Sequence, residues 1–102
     1  MPVIDTNDII ISNYLPGISG CFFKSENNSF SFTHFKKDAV SPNHQHPFEQ
    51  VIIILEGEME FILKNQRHIM SKGGVMIAPP DICHQCTALT DCLLLEVFQN
   101  YE

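Results

Sequence analysis

Turn-forming dipeptides recur at short intervals along the chain, and their spacing limits the possible folds more than any other feature. They are Pro16-Gly17, Asn27-Asn28, Pro42-Asn43, Glu56-Gly57, Asn65-Gln66, Gly73-Gly74, Pro79-Pro80 and Thr90-Asp91. The segments between them are rich in Ile, Val and Phe, and none carries a 3.6-residue apolar stripe over about eleven or more positions. The pattern predicts an all-β fold of short strands: a sandwich, a jelly roll or a small barrel.

The predicted strands occupy nine of these segments. They are Ile9–Ser12, Gly20–Lys24, Ser29–Lys36, Gln50–Leu55, Met59–Leu63, Arg67–Met70, Val75–Ala78, Cys83–Ala88 and Cys92–Phe98. Because a jelly roll has a core of about eight strands, the whole chain should form roughly 9 to 11. Its 102 residues fit a single domain.

Composition and charge exclude several kinds of partner. There are 12 acidic residues against 6 basic ones, for a formal charge of −6. No segment offers the basic patch that would attract nucleic acid or an anionic membrane surface, and the longest aliphatic run, Val51 to Leu55, is far shorter than a membrane span. The first residues lack the basic flank and apolar core of a signal peptide. The four cysteines are therefore predicted to be reduced thiols in the cytoplasm.

A pair of histidines is the first chemical signal in the sequence. His44 and His46 are two residues apart, so their side chains point the same way on an extended chain. Gln50 follows in the same segment, and an amide oxygen beside two imidazoles could form half of a metal shell. On their own, the two histidines could equally be solvent-facing loop residues.

A second segment strengthens the metal interpretation. Gly73 to His84 contains a glycine turn, a short apolar strand, a proline turn and then a histidine. The two segments read Asp38-x5-His44-x-His46-x3-Gln50-x6-Gly57 and Gly73-x5-Pro79-x-Asp81-x2-His84-x3-Thr87. In order and internal spacing they resemble the two motifs of the cupin family, G-x5-H-x-H-x3,4-E-x6-G and G-x5-P-x-G-x2-H-x3-N.

Four positions depart from these motifs. Asp38 and Asp81 replace glycines, and Asp81 can serve in its turn because aspartate tolerates the left-handed backbone conformation. Thr87 replaces the closing asparagine. Gln50 replaces the usual glutamate, so a bound divalent ion would keep its full charge and act as a stronger Lewis acid toward an anionic oxygen.

The resemblance implies the double-stranded β-helix of cupins, a jelly-roll barrel, over residues 29–102. Residues 1–28 would add N-terminal strands that make dimer contacts. By the same resemblance, one divalent metal ion is held inside the barrel by His44, His46, Gln50 and His84. The ion could be Zn, Ni, Fe, Mn or Cu, because imidazole ligands suit several of these alike. The alternative is a site without metal, where these polar groups only line a wet barrel mouth.

Strand parity extends the prediction around these ligands. It places Ile52, Ile54 and Cys86 on the inward face and Glu49 and Cys83 on the outward face. The two cysteines match C-x-x-C, which invites a redox or zinc interpretation. Their opposite orientations disfavour it, and Cys86 is better interpreted as a small residue that lines the pocket.

The last predicted strand carries a further candidate. Glu96 lies among aliphatic residues, where a carboxylate is usually paired, hydrogen-bonded or functional. If it points inward it could act as a general acid or base, and Phe98 shares its parity and could wall the same pocket. The alternative is an edge-strand glutamate that faces solvent.

The motifs are similar to those of small cupins that ketonise 4,5-unsaturated uronates in pectin and alginate breakdown. Their last strand reads roughly Leu-Leu-Asp-Val-Phe, and this chain has Glu96 in place of the aspartate, followed by Val97 and Phe98. The resemblance implies catalytic roles for Glu96 and Phe98. Those enzymes also have an arginine four residues after the phenylalanine, where this chain has Glu102. Lys36 and Lys37 are the candidates to substitute for it.

The predicted function is therefore metal-assisted proton transfer on a small oxygenated anion such as an unsaturated uronate. Two alternatives stay open: another metal-dependent cupin enzyme, such as a dioxygenase or sugar isomerase, and a non-catalytic cupin module that binds a small ligand or a metal. A homodimer is also predicted, because ten aromatic residues are many for a chain of this size. Its contacts are expected from Ile9–Ser12, Phe22, Phe23, Phe30 and Phe32.

Overall fold

Ten strands in two antiparallel sheets make up the protein, which is described by a computed structural model over residues 3–100. The strands are β1 (Ser12–Leu15), β2 (Ile18–Lys24), β3 (Asn28–Phe35), β4 (Val40–His44), β5 (Gln50–Glu56), β6 (Glu58–Leu63), β7 (Gln66–Ser71), β8 (Val75–Ala78), β9 (His84–Ala88) and β10 (Cys92–Gln99). The larger sheet has the order β1-β2-β3-β10-β5-β8 and the smaller one β4-β9-β6-β7. The all-β barrel and the number of strands are as predicted. No helix within residues 3–100 is long and apolar enough to cross a membrane.

The predicted strand Ile9–Ser12 is wrong. A short 3₁₀ turn at Thr6–Asp8 is capped by the Asp5 side chain, and the first strand begins only at Ser12, where Gly20 lies alongside. Ile10 is 87% exposed because no neighbouring strand reaches it. The other eight predicted strands match observed strands within a residue or two at each end, whereas the boundary at residue 28 between N-terminal strands and barrel stays a prediction.

Strand β4 was not predicted, because Pro42-Asn43 looks like a turn in the sequence. It lies at the edge of the smaller sheet, where a proline without an N–H group is tolerated. Its register against β9 shifts between Ser41 and His44, so that His44 lies directly opposite His84. The missed strand therefore brings the two histidine motifs together.

Strand parity is as predicted. Ile52, Ile54 and Cys86 are buried between the sheets, whereas Glu49 and Cys83 are exposed. The core between the sheets is apolar over most of its length. Its members, all at most 7% exposed, are Ile18, Phe35, Ile52, Ile54, Met59, Phe61, Met76, Ala78, Cys86, Ala88, Cys92 and Leu94.

Both aspartates that replace motif glycines adopt the backbone conformation that glycine would. Asp38 has φ 71° and Asp81 has φ 63°, in the left-handed region that aspartate tolerates better than most residues. Gly57 has φ 92° in the β5–β6 turn, and a Cβ there would lie 2.3 Å from the carbonyl oxygen of Asp91. The turn thus requires glycine for space as well as for conformation.

Candidate metal centre and its carboxylate

Three histidines meet at one end of the barrel, which we call the mouth. His44 ends β4, His84 begins β9 and His46 lies in the connection to β5. One ring nitrogen from each lies within 4.8 Å of those of the other two. The structure thus brings together His44, His46 and His84, as the sequence predicts.

Each of these rings is fixed by a backbone carbonyl. In every case Nδ1 is the donor. His44 donates to the carbonyl oxygen of Pro42 at 2.7 Å, His46 to that of Phe48 at 2.8 Å, and His84 to that of Ile82 at 2.9 Å. A ring that donates from Nδ1 keeps the lone pair of a neutral imidazole on Nε2. Hydrogen bonds of this kind orient histidine ligands in metal sites, so the three lone pairs are preset.

The Nε2 atom of His84 is buried and has no hydrogen-bond partner in the described part of the chain. An unpaired buried acceptor is costly, and a bound cation would satisfy it. Burial lowers the pKa of His84, the Ile82 hydrogen bond partly offsets this, and the charges of His44 and His46 lower it further. The ring is thereby kept neutral, which is the form that binds metal.

Gln50 links the histidines to a carboxylate. It is 8% exposed, its Oε1 lies 2.9 Å from Nε2 of His46, and its Nε2 donates to Oε1 of Glu96 at 2.8 Å. In a neutral ring that donates from Nδ1, Nε2 of His46 is an acceptor, and it then faces the Gln50 oxygen, a second acceptor. A shared cation would reconcile them, so the residues present fit the predicted ion.

Glu96 points inward, toward the mouth. Thr33 donates to its Oε2 and Gln50 to its Oε1. Burial raises the pKa of Glu96, while the hydrogen bond from Thr33, the charge of His44 and the hydrogen bond from Gln50 oppose the rise. A carboxyl group held between two donors in a poorly solvated place suits proton transfer.

Sequence reasoning missed the hydroxyl groups behind this carboxyl group. Thr33 hydrogen-bonds Ser31 at 2.8 Å, and Ser31 bonds the hydroxyl of Tyr14 at 2.9 Å. Ser31 and Thr33 are at most 4% exposed, whereas Phe30 and Phe32, which alternate with them along β3, turn outward. The alternation of polar and aromatic residues along β3 is visible in the sequence. It would have led to the wrong faces, however, because polar residues are normally assigned to solvent and aromatic residues to the core.

Phe98 lies in an aromatic row at the mouth. Its ring stacks on Phe48 at 5.5 Å between centroids, and Phe48 stacks on His46 at 4.2 Å. On the other side, Phe22 is 6.3 Å away. Phe98 does not line the small cavity beside the histidines, so its place is in the wall above that cavity.

The cavity beside His44, His84, Gln50 and Glu96 measures about 50 Å³, enough for an ion or a water but not for a sugar. A larger open groove of about 700 Å³ runs past Phe98, between acidic and amide side chains, and touches none of the histidines. The smaller cavity is the candidate metal site, because histidines, Gln50 and Glu96 line it. An organic ligand would therefore lie over the mouth, against the aromatic row.

The structure also places the remaining candidate cysteines and lysines. Burial, assisted by the charge of Glu96, raises the pKa of Cys86 to about 12, and exposed Cys83 instead donates to Gln45 at 3.1 Å. The two cysteines share no site. Lys36 and Lys37 follow the far end of β3, about 20 Å from the mouth at the usual rise of a strand, so neither replaces the missing arginine.

A barrel of two antiparallel sheets, with three histidines converging inside one end where they could hold a metal ion, defines a class of jelly-roll proteins. A family model described as cupin domain matches residues 31–98. The chain belongs to the cupin family.

Solved structures agree with this fold. KdgF from Halomonas sp. is 23% identical with a TM-score of 0.88, covering 96% of this chain and 92% of its own. An RmlC-like cupin from Shewanella frigidimarina is 19% identical with a TM-score of 0.90, covering 97% and 90%. A predicted oxalate decarboxylase from Thermotoga maritima is 16% identical with a TM-score of 0.86, covering 97% and 99%. No curated protein sequence matches the chain significantly. At these identities the likeness shows the fold alone.

Proposed function

We propose that this cupin is a metal-dependent isomerase or lyase-type enzyme that transfers a proton within a small oxygenated anion, and that unsaturated uronates are its class of substrate. One observation carries the proposal: an inward carboxyl group, Glu96, is joined through Gln50 to a cluster of three preset histidines. A module that only bound metal would not need a carboxyl group beside the ion. The likeness to KdgF, a cupin that ketonises unsaturated uronates, supports the choice of substrate class.

His44, His46 and His84 would hold the metal ion, with the Gln50 oxygen as a fourth ligand. When bound, the ion would supply Lewis acidity toward the oxygens of the substrate. The chain's own residues then have separate tasks. The carbonyl hydrogen bonds fix the orientation of the three imidazole rings, and Gln50 holds Glu96 at a fixed place beside them.

Glu96 would move the proton. In ketonisation of an enol the O–H bond breaks and a C–H bond forms, so one carboxyl group that accepts from oxygen and donates to carbon balances the reaction. Thr33 and Gln50 hold its two oxygens in fixed directions. Phe98 and Phe48 would cover the apolar face of the substrate ring and exclude water from the mouth.

The first test is the metal content of untagged protein purified without chelator, measured by inductively coupled plasma mass spectrometry. We expect about one divalent ion per chain, lost in His84→Ala. The matched control is His68→Ala, since His68 is exposed on β7 and outside the cluster. Metal absent from the wild type, and not taken up on titration, would overturn the proposal.

The second test is turnover of an unsaturated galacturonate monomer, followed by loss of its alkene absorbance. We expect the wild type to convert it and Glu96→Gln to lose at least about a hundredfold in rate with unchanged metal content. Metal binding without turnover of any uronate would contradict the proposed activity and favour a non-catalytic module that binds a metal or a small ligand. Turnover undiminished by Glu96→Gln would refute the role given to this residue.

We further propose a homodimer formed through the outer face of the larger sheet. Apolar side chains from five neighbouring strands, β2, β3, β10, β5 and β8, share that face. In this order of strands they are Cys21, Phe23, Phe30, Phe32, Leu95, Val97, Val51, Ile53, Val75 and Ile77. Val75 and Ile77 are 49% and 52% exposed, as expected of a surface that a second copy covers. Phe22 lies outside this surface. It is opposite Ser31, which is also opposite Glu96, so Phe22 is on the inner face of the sheet.

Sedimentation equilibrium tests the dimer. Ile77→Lys should produce monomers at micromolar concentration, because it would bury a charge in the interface. Ile69→Lys is the matched control, since Ile69 is 49% exposed on the smaller sheet. A monomeric wild type would contradict the proposal. The four free cysteines suit the reducing cytoplasm, where we propose that the protein works.

A further inference from the structure

The position that the resemblance gives to an arginine is Glu102 in this sequence. The cavity is lined by no lysine or arginine, Lys36 and Lys37 lie at the far end of β3, and Arg67 pairs with Glu60 at 2.5 Å. An anionic ligand over the histidines would still need a positive partner for its carboxylate. A cation on another strand could supply it.

Lys24 lies in the register row of Gln50. Lys24 lies at the end of β2, directly opposite Ser29 on β3. Ser29 lies opposite Phe98 on β10, and Phe98 lies opposite Gln50 on β5. Directly opposed residues in antiparallel strands point to the same face. The Lys24 side chain therefore starts on the inward-facing side of the sheet, at the rim of the mouth. Three strand spacings put its Cα about 14 Å from that of Gln50.

The aromatic row leads from the histidines to this lysine. Rings follow one another from His46 through Phe48 and Phe98 to Phe22, and the ammonium nitrogen of Lys24 lies 5.9 Å from the Phe22 ring centroid. A cation near an aromatic face is held by the ring's quadrupole at little cost. The ammonium thus lies at the outer end of the aromatic row, and the histidines lie at its inner end.

Within residues 3–100, no carboxylate competes for the ammonium. Residues 3–100 contain one ion pair, Arg67 with Glu60, so Lys24 is not paired with any carboxylate there. Its stem is long enough to bring the charge several ångströms back toward the mouth.

We propose that Lys24 binds the carboxylate of the ligand while the ligand's other oxygens lie at the histidines and its ring rests on Phe98 and Phe48. The inference rests on the proposed function and specifies its substrate as a small monocarboxylate. Lys24 would be a specificity-determining residue, remote from the atoms that react.

Binding of a matched pair of sugars tests this assignment. D-galacturonate and D-galactose differ in the carboxylate, and each is titrated into the metal-loaded protein while chemical shifts are followed by NMR. We expect Lys24→Gln to raise the Kd of D-galacturonate about fivefold, as for a partly exposed charge pair, and to leave D-galactose unchanged. Lys24→Arg should restore the preference, and added salt should weaken it.

Two lysines serve as controls. Lys64, in the β6–β7 turn, lies next to the row of His84 on the opposite sheet, and Lys72 follows the far end of β7. Neither Lys64→Gln nor Lys72→Gln should change the preference. A wild type that does not prefer D-galacturonate, or a loss produced by Lys64→Gln instead, would overturn the inference.

Turnover separates this inference from the proposed function. If the unsaturated uronate is converted but Lys24→Gln binds D-galacturonate as tightly as the wild type, the role of Lys24 is refuted and the activity stands. If no uronate is converted but Lys24→Gln weakens D-galacturonate binding, Lys24 is supported as the carboxylate partner in a binding module.

Discussion

The two ends of the barrel are made from the same strands with opposite chemistry. β3 carries Ser29 at the mouth and Phe35 at the other end, which we call the closed end. β5 runs from Gln50 at the mouth to Ile54, which is 1% exposed. β9 runs from His84 to a fully buried Ala88. All these side chains point inward, so the division follows position along the barrel.

This difference separates stability from chemistry. At the closed end apolar side chains are almost entirely removed from water, which stabilises the fold by roughly 25 cal/mol for each Å² buried. At the mouth the buried groups are hydroxyls, an amide, an imidazole and a carboxyl, which contribute little net stability even when hydrogen-bonded. Substitutions at the two ends should therefore have effects of different kinds.

The largest expected effect is at the closed end. Phe35 is 2% exposed and packs where β2, β3 and β10 meet, so Phe35→Ala should lower the free energy of unfolding by about 3 to 5 kcal/mol. Denaturant unfolding followed by circular dichroism measures this. The neighbouring exposed residue supplies the control: His34→Ala should stay within about 0.5 kcal/mol of the wild type. Equal losses in both variants would contradict the division.

A smaller effect on stability is expected at the mouth. Glu96→Gln keeps an acceptor for Gln50 and a polar partner for Thr33, so the free energy of unfolding of the metal-free protein should change by no more than about 1 kcal/mol. The same variant is expected to lose most of its activity. A loss of stability as large as that of Phe35→Ala would show that Glu96 is a structural residue.

The closed end and most strands could be predicted from the sequence, because alternation and turn dipeptides act locally. The histidines could be predicted too, since their spacing is fixed within two short motifs. Strand β4 could not, because Pro42 looks like a turn until the edge position of β4 is known. Its prediction needs tertiary information.

The polar interior of the mouth and the place of Lys24 depend on the pairing of distant strands. Ser31 and Thr33 are functional candidates only because β3 pairs with β10 and thereby meets Glu96. Lys24 enters the site only because three successive strand pairings bring it into the row of Gln50. No local pattern contains that register, so sequence reasoning assigned the missing cation to Lys36 or Lys37.

The smallest expected effects are pH-dependent and concern two groups at the mouth. Glu96 has a raised pKa in the folded protein, so folding favours its protonated form. Its contribution to stability is fully present below the ordinary value of 4.5 and is lost as the pH rises through the raised pKa. His84 has a lowered pKa, so its contribution is fully present above 6.5 and is lost as the pH falls through that lowered pKa.

The two groups thus predict opposite slopes in the metal-free protein. Relative to the wild type, Glu96→Gln should gain stability as the pH rises above 4.5, and His84→Gln should gain stability as it falls below 6.5. Urea unfolding of all three proteins across this range measures both differences. His68→Gln, on the exposed surface, should follow the wild type at every pH. Differences that stay constant with pH would mean that burial at the mouth penalises neither charge, and the contrast between the two ends would then be one of packing alone.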